Sequence, residues 1–290
     1  YVDVIYNFFF SLYVLLCIRP EIVVFRGADR SLFWVALLAK IVHAKCILFG
    51  ASDANFVPGK DILVGNKINT MLYRHSLSFV SHVIVQNENQ KRTLLANYNR
   101  GSLIIPNIWP NTPAVSEANT KYDVLWVANM RRLKRPEWFV SLAKEMPSYN
   151  FAMVGGVTFG DRDYFLQVRQ KAKSIDNLSF LGSMPFEEVN NLFGKVKVLV
   201  CTSEYEGFPN TFLQAWSNGI PVVSTVDPNH LLSSSFLGYF VKTQNELHSR
   251  VEQLLEDQSR YKTLSKNIKE YFERSHSATI AFEHLMSYIE

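Results

Sequence analysis

Short apolar runs of three to five residues alternate with longer amphipathic stretches along most of the chain. The runs Ile22 to Phe25, Cys46 to Phe49, Val83 to Val85 and Leu103 to Ile105 are rich in β-branched residues and bounded by turn or charge signals, so they read as buried strands. Helices are expected between them: one that Ser31 caps and that runs to about His43, one near Asn66 to Phe79, and one near Glu88 to Tyr98. Strands that are apolar throughout and separated by single helices are what a parallel sheet covered on both faces produces.

The alternation stops between Pro106 and Pro113, where three prolines leave little periodicity and a linker is expected. It then restarts. Strands are expected at Asp123 to Val127, Phe151 to Val154, Leu178 to Leu181, Val198 to Thr202 and Val222 to Ser224. Helices fall at Pro136 to Glu145, Asp163 to Lys173, Phe186 to Phe193, Asn210 to Ser217 and from about Asn245 onward. Pro136 in a first turn, followed by Phe139, Leu142, Ala143 and Met146 at helical spacing, fixes one of these elements. The expected fold class is therefore α/β, with two doubly wound Rossmann-like domains. Residues 1–110 make the first, 111–275 the second, and a C-terminal helix in 276–290 is available to pack back on the first.

Composition narrows the options further. With 48% apolar and 19% charged residues the chain is globular, not disordered. A net charge of +4, spread over 30 basic and 26 acidic residues, is too mild for a nucleic-acid partner. Cys17, Cys46 and Cys201 lie among apolar neighbours with no Cys-x-x-Cys spacing, so buried thiols in a reducing, cytoplasmic compartment are expected. The opening run Phe8 to Cys17 is apolar on all sides yet shorter than the roughly 20 residues a span needs. A buried helix is expected there, with a helix resting on a membrane surface as the alternative.

In doubly wound sheets ligands bind where the carboxyl ends of strands lead into helix N-termini, so two loops carry most of the candidate chemistry. Arg131 and Lys134, three apart in a loop with Arg132 and Arg135, could aim at one anion, or the loop could be a solvated basic turn. The segment Glu206-Gly207-Phe208-Pro209-Asn210-Thr211 leads into a helix carrying Gln214 one turn in. Gly207 permits close backbone approach, and the amides near Asn210 and Thr211 would want an acceptor such as a diphosphate. Glu206 and Gln214 could face one ligand over that helix N-terminus, their oxygens accepting from hydroxyls. The plain alternatives are an acid that complements the helix dipole and a surface glutamine.

Other signals carry less. Asp161-Arg162-Asp163 could hold a divalent cation, but capping and the dipole of the helix that begins there account for it. Gly155-Gly156-Val157-Thr158-Phe159-Gly160 is neither a Gly-x-Gly-x-x-Gly nor a P-loop. The seven histidines show no i, i+4 pair. Neither a metal nor a cofactor is expected.

The run Glu206 to Val223 resembles the signature of glycosyltransferase family 4, the group 1 retaining enzymes of GT-B fold. The likeness extends to Val127 through Pro136, to Asn177 through Gly182, to Val85 through Lys91 and to Ile104 through Asn107. The resemblance implies two domains facing a cleft and transfer of a sugar from a nucleoside diphosphate sugar to a saccharide or lipid-linked acceptor, in cell-surface polysaccharide or glycolipid assembly. By the same resemblance Glu206 holds the donor sugar, while Arg131, Lys134 and the amides of Gly207 to Asn210 hold the diphosphate. Gln214 stands where the family has a second glutamate on the ribose diol, and the backbone of Gly182, Ser183 and Met184 meets the base. The family opens with a strand and glycine-rich loop that would precede Tyr1, so the first domain is expected to lack part of its sheet. Ser52 and Asp53 follow a strand end and are acceptor-side candidates outside any motif, with loop capping as their other reading. The competing function is a non-catalytic relative that binds a nucleotide or a partner. The setting implied is cytoplasmic, at the inner face of the membrane.

Overall fold

The structure, a computed structural model, describes residues 2–58, 67–110, 120–158, 160–206, 208–234 and 237–289, with the side chains of residues 2–7 and of Asp53 outside that description. Gly207 and Phe159 also lie outside the described residues. The chain divides into two compact units, Tyr1–Pro106 with Ala281–Glu290, and Asn107–Ile280.

The first unit runs α1 (Val2–Ile18), β1 (Ile22–Arg26), α2 (Ser31–Ile41), β2 (Lys45–Phe49), α3 (Lys67–Ser76), β3 (His82–Val85), α4 (Glu88–Tyr98) and β4 (Leu103–Ile104). Among the described residues its strands pair in parallel in the order β1-β2-β3-β4. Side chains alternate between faces along each strand, and both faces are covered. Cys46, Leu48, Val83 and Val85 pack with Leu32, Ala36 and Ala39 of α2, Tyr73 of α3 and Leu94 of α4. On the opposite face Ile47, Ile84 and Ile105 meet Leu285, Met286 and Ile289 from the C-terminal helix. Lys45 closes that contact by donating to the Ile289 carbonyl at 2.5 Å.

Three expectations for this unit are corrected. The opening helix is not buried. Leu15 is, but Phe9, Phe10, Tyr13, Leu16 and Ile18 are between 52% and 68% exposed. α1 lies beside the edge strand's helix α2, with Phe8 edge-on to Trp34 at 5.4 Å, and among the described residues this packing leaves much of a helix that is apolar all round uncovered. Cys17 is exposed for the same reason, whereas Cys46 is buried and its thiol is pushed up to about 11 by that burial. Finally, Ser31 does not cap α2: it lies inside the helix, and its amide donates to the Asp29 carboxylate at 2.7 Å. The helix starts one position earlier than a Ser31 cap requires, with Arg30 at the N-cap, so the Ser31 hydroxyl does not sit where a cap accepts from the first-turn amides. Among the described residues no helix is long and apolar enough to cross a membrane.

The second unit continues with β5 (Tyr122–Val127), α5 (Pro136–Glu145), β6 (Phe151–Val154), α6 (Arg162–Lys173), β7 (Leu178–Gly182), α7 (Phe186–Phe193), β8 (Val196–Cys201), α8 (Asn210–Ser217), β9 (Val222–Ser224), α9 (Leu231–Ser234), β10 (Gly238–Phe240), α10 (Gln244–Glu256) and α11 (Gln258–Ser275); α12 (Ala278–Ile289) returns to the first unit. Its strands are parallel in the order β10-β9-β8-β5-β6-β7. From β5 the chain moves outward through β6 and β7, then crosses back to β8 and continues the other way. The order therefore reverses between β5 and β8, and the loops after these two strands flank the switch point where such sheets bind ligands.

α8 lies deep in this unit: Phe212, Leu213, Gln214, Ala215, Trp216 and Ser217 are all buried. β10 was absent from the sequence pattern because it is three residues long and opens on a glycine. Gly238 is required there, since at φ 151 a β-carbon would stand 1.9 Å from the Val222 carbonyl oxygen of the neighbouring strand. Asp161 occupies the N-cap position of α6 without a side-chain capping bond, while Asp163 lies in the first turn, where its charge complements the helix dipole.

Candidate functional site

The loop after β5 and the loop after β8 are stitched together by backbone-directed bonds. After β5 a 3-10 turn, Arg132–Lys134, ends at Arg135, whose left-handed backbone (φ 44, ψ 52) precedes Pro136. Proline disfavours right-handed helical backbone in the residue before it, and the αL alternative is strained for arginine. Its side chain offsets the strain: Nε donates to the Thr202 carbonyl at 2.7 Å and Nη2 to the Ser203 carbonyl at 3.1 Å, with the guanidinium 4.3 Å from the Trp138 ring centroid. Thr202 is fully buried; its hydroxyl accepts from Trp126 Nε1 at 2.9 Å and donates to the Lys134 carbonyl at 2.6 Å. The Glu204 amide donates to the Leu133 carbonyl at 2.7 Å.

On this frame sits an ion pair. Lys134 Nζ contacts Glu206 Oε1, which also accepts from Ser203 Oγ at 2.7 Å. The two side chains are only 17% and 20% exposed, so the pair is shielded without being sealed. Among the described residues Glu206 Oε2 has no partner, which leaves one carboxylate oxygen able to accept from a ligand hydroxyl. Arg131 is exposed and, among the described residues, has no ion-pair partner. The structure thus joins Lys134 to Glu206 and leaves Arg131 as a separate cation one turn away.

α8 starts where these loops meet. Pro209 is its N-cap and supplies no capping bond, and its first turn holds no acid. A helix start with unsupplied amides and a positive dipole end favours an anion. Asn210 is exposed and Thr211 half-buried at this start, while Phe208 packs 6.1 Å from the Trp216 ring. Gln214 is not a surface residue. It is 5% exposed, and its Nε2 donates to Asn190 Oδ1 of α7 at 3.4 Å. Gly182 ends β7 with φ +71, followed by exposed Ser183 and half-buried Met184. Gly182 O accepts from the Gly155 amide at 2.9 Å, and Gly156 O accepts from the Met130 amide at 3.0 Å.

Gly155 allows that close passage. A β-carbon there would lie 2.1 Å from the Ala128 carbonyl oxygen. Gly155→Ala is expected to destabilise the protein by about 1–3 kcal/mol, the usual penalty of overpacking against backbone. Urea unfolding measures this, and an unchanged midpoint would count against the packing described.

In the first unit, Ser52 caps the 3-10 turn Asp53–Phe56: its hydroxyl accepts from the Ala54 amide at 3.2 Å, and Asn55 Oδ1 accepts from the Ser52 amide at 2.9 Å. The hydroxyl therefore has a structural job. Sequence reasoning missed Arg135, Thr202 and Trp126. Only the placement of Arg135 directly before Pro136 distinguished it from its cationic neighbours.

His276, 1% exposed, packs beneath the loop after β8. Burial holds its imidazole below the ordinary histidine range, partly offset by the bond to the Asn107 carbonyl. The unfolded chain therefore takes up this proton near pH 6.5 while the folded protein does not, so stability falls as pH drops below about 6.5. Thermal melting at about pH 7.5 and about pH 5.5 is expected to show the loss, smaller in His276→Phe. An equal loss in both proteins would contradict it.

A doubly wound sheet with a basic loop and an uncapped helix at its switch point is the arrangement in which α/β proteins favour an anion. The family described as glycosyl transferases group 1 matches residues 108–271, more than half of the chain, and the chain belongs to that family. Among curated proteins, the O-antigen biosynthesis glycosyltransferase WbnH of Escherichia coli is 24% identical over 170 residues, 55% of this chain and 45% of that protein. The probable O-antigen biosynthesis glycosyltransferase WbiN of Escherichia coli matches to the same degree. The matches thus span about half the length of these relatives.

Solved structures share the fold. Anabaena Alr3699/HepE in complex with UDP and glucose superposes with a TM-score of 0.76 at 15% identity, over 96% of this chain and 80% of that one. A glycosyltransferase from Rickettsia africae gives 0.72 at 14% identity, over 98% and 80%. The α/β, GT-B-like class expected from the sequence is the class of these neighbours.

Proposed function

We propose that the second unit is the donor side of a retaining glycosyltransferase that moves a sugar from a nucleoside diphosphate sugar to an acceptor hydroxyl, in assembly of a cell-surface polysaccharide or glycolipid. The observation that carries this reading is the Lys134 to Glu206 pair, held by two stitched loops at the switch point beside the uncapped start of α8. A carboxylate with one free oxygen suits sugar hydroxyls, and cations with helix amides suit a diphosphate. Family membership, a structural neighbour in complex with UDP and glucose, and O-antigen relatives support it.

In this reading Lys134, Arg131 and the amides of Gly207 to Asn210 stabilise charge that grows on the leaving diphosphate, the work a divalent cation does elsewhere, so no metal is required. Glu206 orients the sugar, Gln214 meets the ribose, and the backbone of Gly182 to Met184 meets the base. The acceptor is a saccharide or lipid-linked hydroxyl on the cytoplasmic side, and the exposed face of α1 supplies a peripheral membrane contact.

Thermal melting with UDP, GDP and ADP in turn tests the donor site. Saturation near 100 times Kd contributes about 2.7 kcal/mol, so one of the three is expected to raise Tm by several degrees. No shift with any of them would sink the reading. The anomeric configuration of the product, read by NMR, decides retention.

Gln214 is the observation that favours the second reading, a non-catalytic nucleotide-binding relative, because a neutral amide is a weaker acceptor than a carboxylate. Gln214→Glu is expected to tighten nucleoside diphosphate binding by about fivefold to tenfold, with Asn190 reversing its amide to donate. Titration calorimetry reads this directly, and unchanged or weaker binding would contradict the ribose contact.

A further inference from the structure

His276 follows α11 and lies outside every motif in the chain, yet it touches the candidate site from below. Its Nδ1 is 2.7 Å from the Asn107 carbonyl oxygen. A carbonyl only accepts, so Nδ1 carries the proton and Nε2 is the acceptor for the Tyr271 hydroxyl at 3.3 Å. The backbone is tied as well, with the Trp109 amide donating to the His276 carbonyl at 3.2 Å.

The imidazole sits among rings: Phe208 at 5.6 Å, Trp216 at 6.0 Å and Phe272 stacked at 6.2 Å. Phe208 is the loop residue two positions after Glu206. Asn107, whose carbonyl holds the imidazole, also places its Nδ2 3.4 Å from Oδ1 of Asn210, the first residue of α8. One buried side chain therefore meets the loop directly through Phe208 and the helix start through Asn107. A phenylalanine would fill the same space without needing two polar partners, so packing alone does not account for histidine.

We propose that His276 is a positioning residue of the donor site: by seating Phe208 and anchoring Asn107 it sets where the Glu206 to Asn210 loop and the first turn of α8 stand, and with them the affinity for the donor's diphosphate. The inference rests on the reading of the site under Proposed function. It goes beyond that reading because His276 contacts neither the ion pair nor the helix amides.

The test is titration calorimetry with whichever of UDP, GDP and ADP the unmutated protein binds, on His276→Phe, Phe208→Leu and Tyr271→Phe. His276→Phe is expected to weaken binding about tenfold, since small displacements of positioned groups are amplified in affinity and rate. Tyr271→Phe removes only the partner on the far side of the ring. It is expected to lower Tm yet leave Kd within about twofold. Phe208→Leu keeps apolar volume but breaks the ring contact, and it is expected to weaken binding as His276→Phe does, which keeps the question open to decision if His276→Phe fails to fold. Wild-type affinity in His276→Phe or in Phe208→Leu would overturn the inference, and so would an equal loss in Tyr271→Phe, which would report general stability only. If the unmutated protein binds none of the three nucleotides, the donor-site reading itself fails and takes this one with it.

Discussion

Lys134→Ala is expected to lower the rate of sugar transfer by about 10²- to 10³-fold, the usual loss when one preorganised charge is removed from a site where negative charge develops. Two effects act together. The ammonium that, in the proposed reading, faces the leaving diphosphate is gone, and Glu206, only 20% exposed, keeps Ser203 Oγ as its remaining partner among the described residues. An uncompensated carboxylate beside a diphosphate repels it, so donor affinity should fall along with the rate. Lys134→Arg restores the charge but not the shape, and partial recovery is expected. The measurement is kcat and KM for release of nucleoside diphosphate from the donor. A variant within threefold of wild type, on the order of 0.7 kcal/mol, would remove Lys134 from the chemistry.

The second large effect is expected at a residue that touches no ligand. Arg135→Ala removes two charge-assisted hydrogen bonds to the Thr202 and Ser203 carbonyls and the stacking on Trp138. It also leaves an αL position without the contacts that hold it, although the smaller side chain relieves none of the strain. A loss of about 2–4 kcal/mol is expected, or roughly 5–15 °C in Tm for a domain of this size. Because the loop carrying Lys134 would part from the loop carrying Glu206, donor binding should weaken even at temperatures where the protein is folded. Arg135→Lys is expected to behave like the alanine variant, since a single ammonium cannot reach both carbonyls as the guanidinium fork does. Full stability in either variant would show that the two loops are held by other means.

Most of the secondary structure was legible because a parallel sheet buried on both faces leaves apolar runs that stand out from amphipathic helices. Val124, Leu125 and Trp126 in β5, or Val198, Leu199 and Val200 in β8, are buried together as the runs imply. What composition could not reveal was which surfaces have neighbours. α1 is as apolar as a core helix, yet it packs beside α2 at the edge of the sheet and, among the described residues, much of its surface is exposed. Gln214 shows the reverse: a polar residue on α8 is buried because that helix is enclosed on all sides.

The site divides in the same way. Glu206, Asn210 and Gln214 lie within one signature run, so the resemblance marked them without any three-dimensional information. The pairing of Lys134 with Glu206 joins residues 72 apart, and the Arg135 bonds reach 67 and 68 residues along the chain. Nothing in a row of four cations says which one points to backbone, which to a carboxylate and which to solvent. Those roles come from the register of β5 against β8, which sets the loops after them side by side.

The central claim is that this switch point grips the diphosphate of a sugar nucleotide. Calorimetry of the preferred nucleoside diphosphate against its parent nucleoside, on the unmutated protein and on Lys134→Ala, tests it most directly. The account predicts at least tenfold tighter binding of the diphosphate, on the order of 1.4 kcal/mol, with most of that difference lost in Lys134→Ala. Equal affinity for diphosphate and nucleoside, or a preference untouched by the substitution, would contradict it.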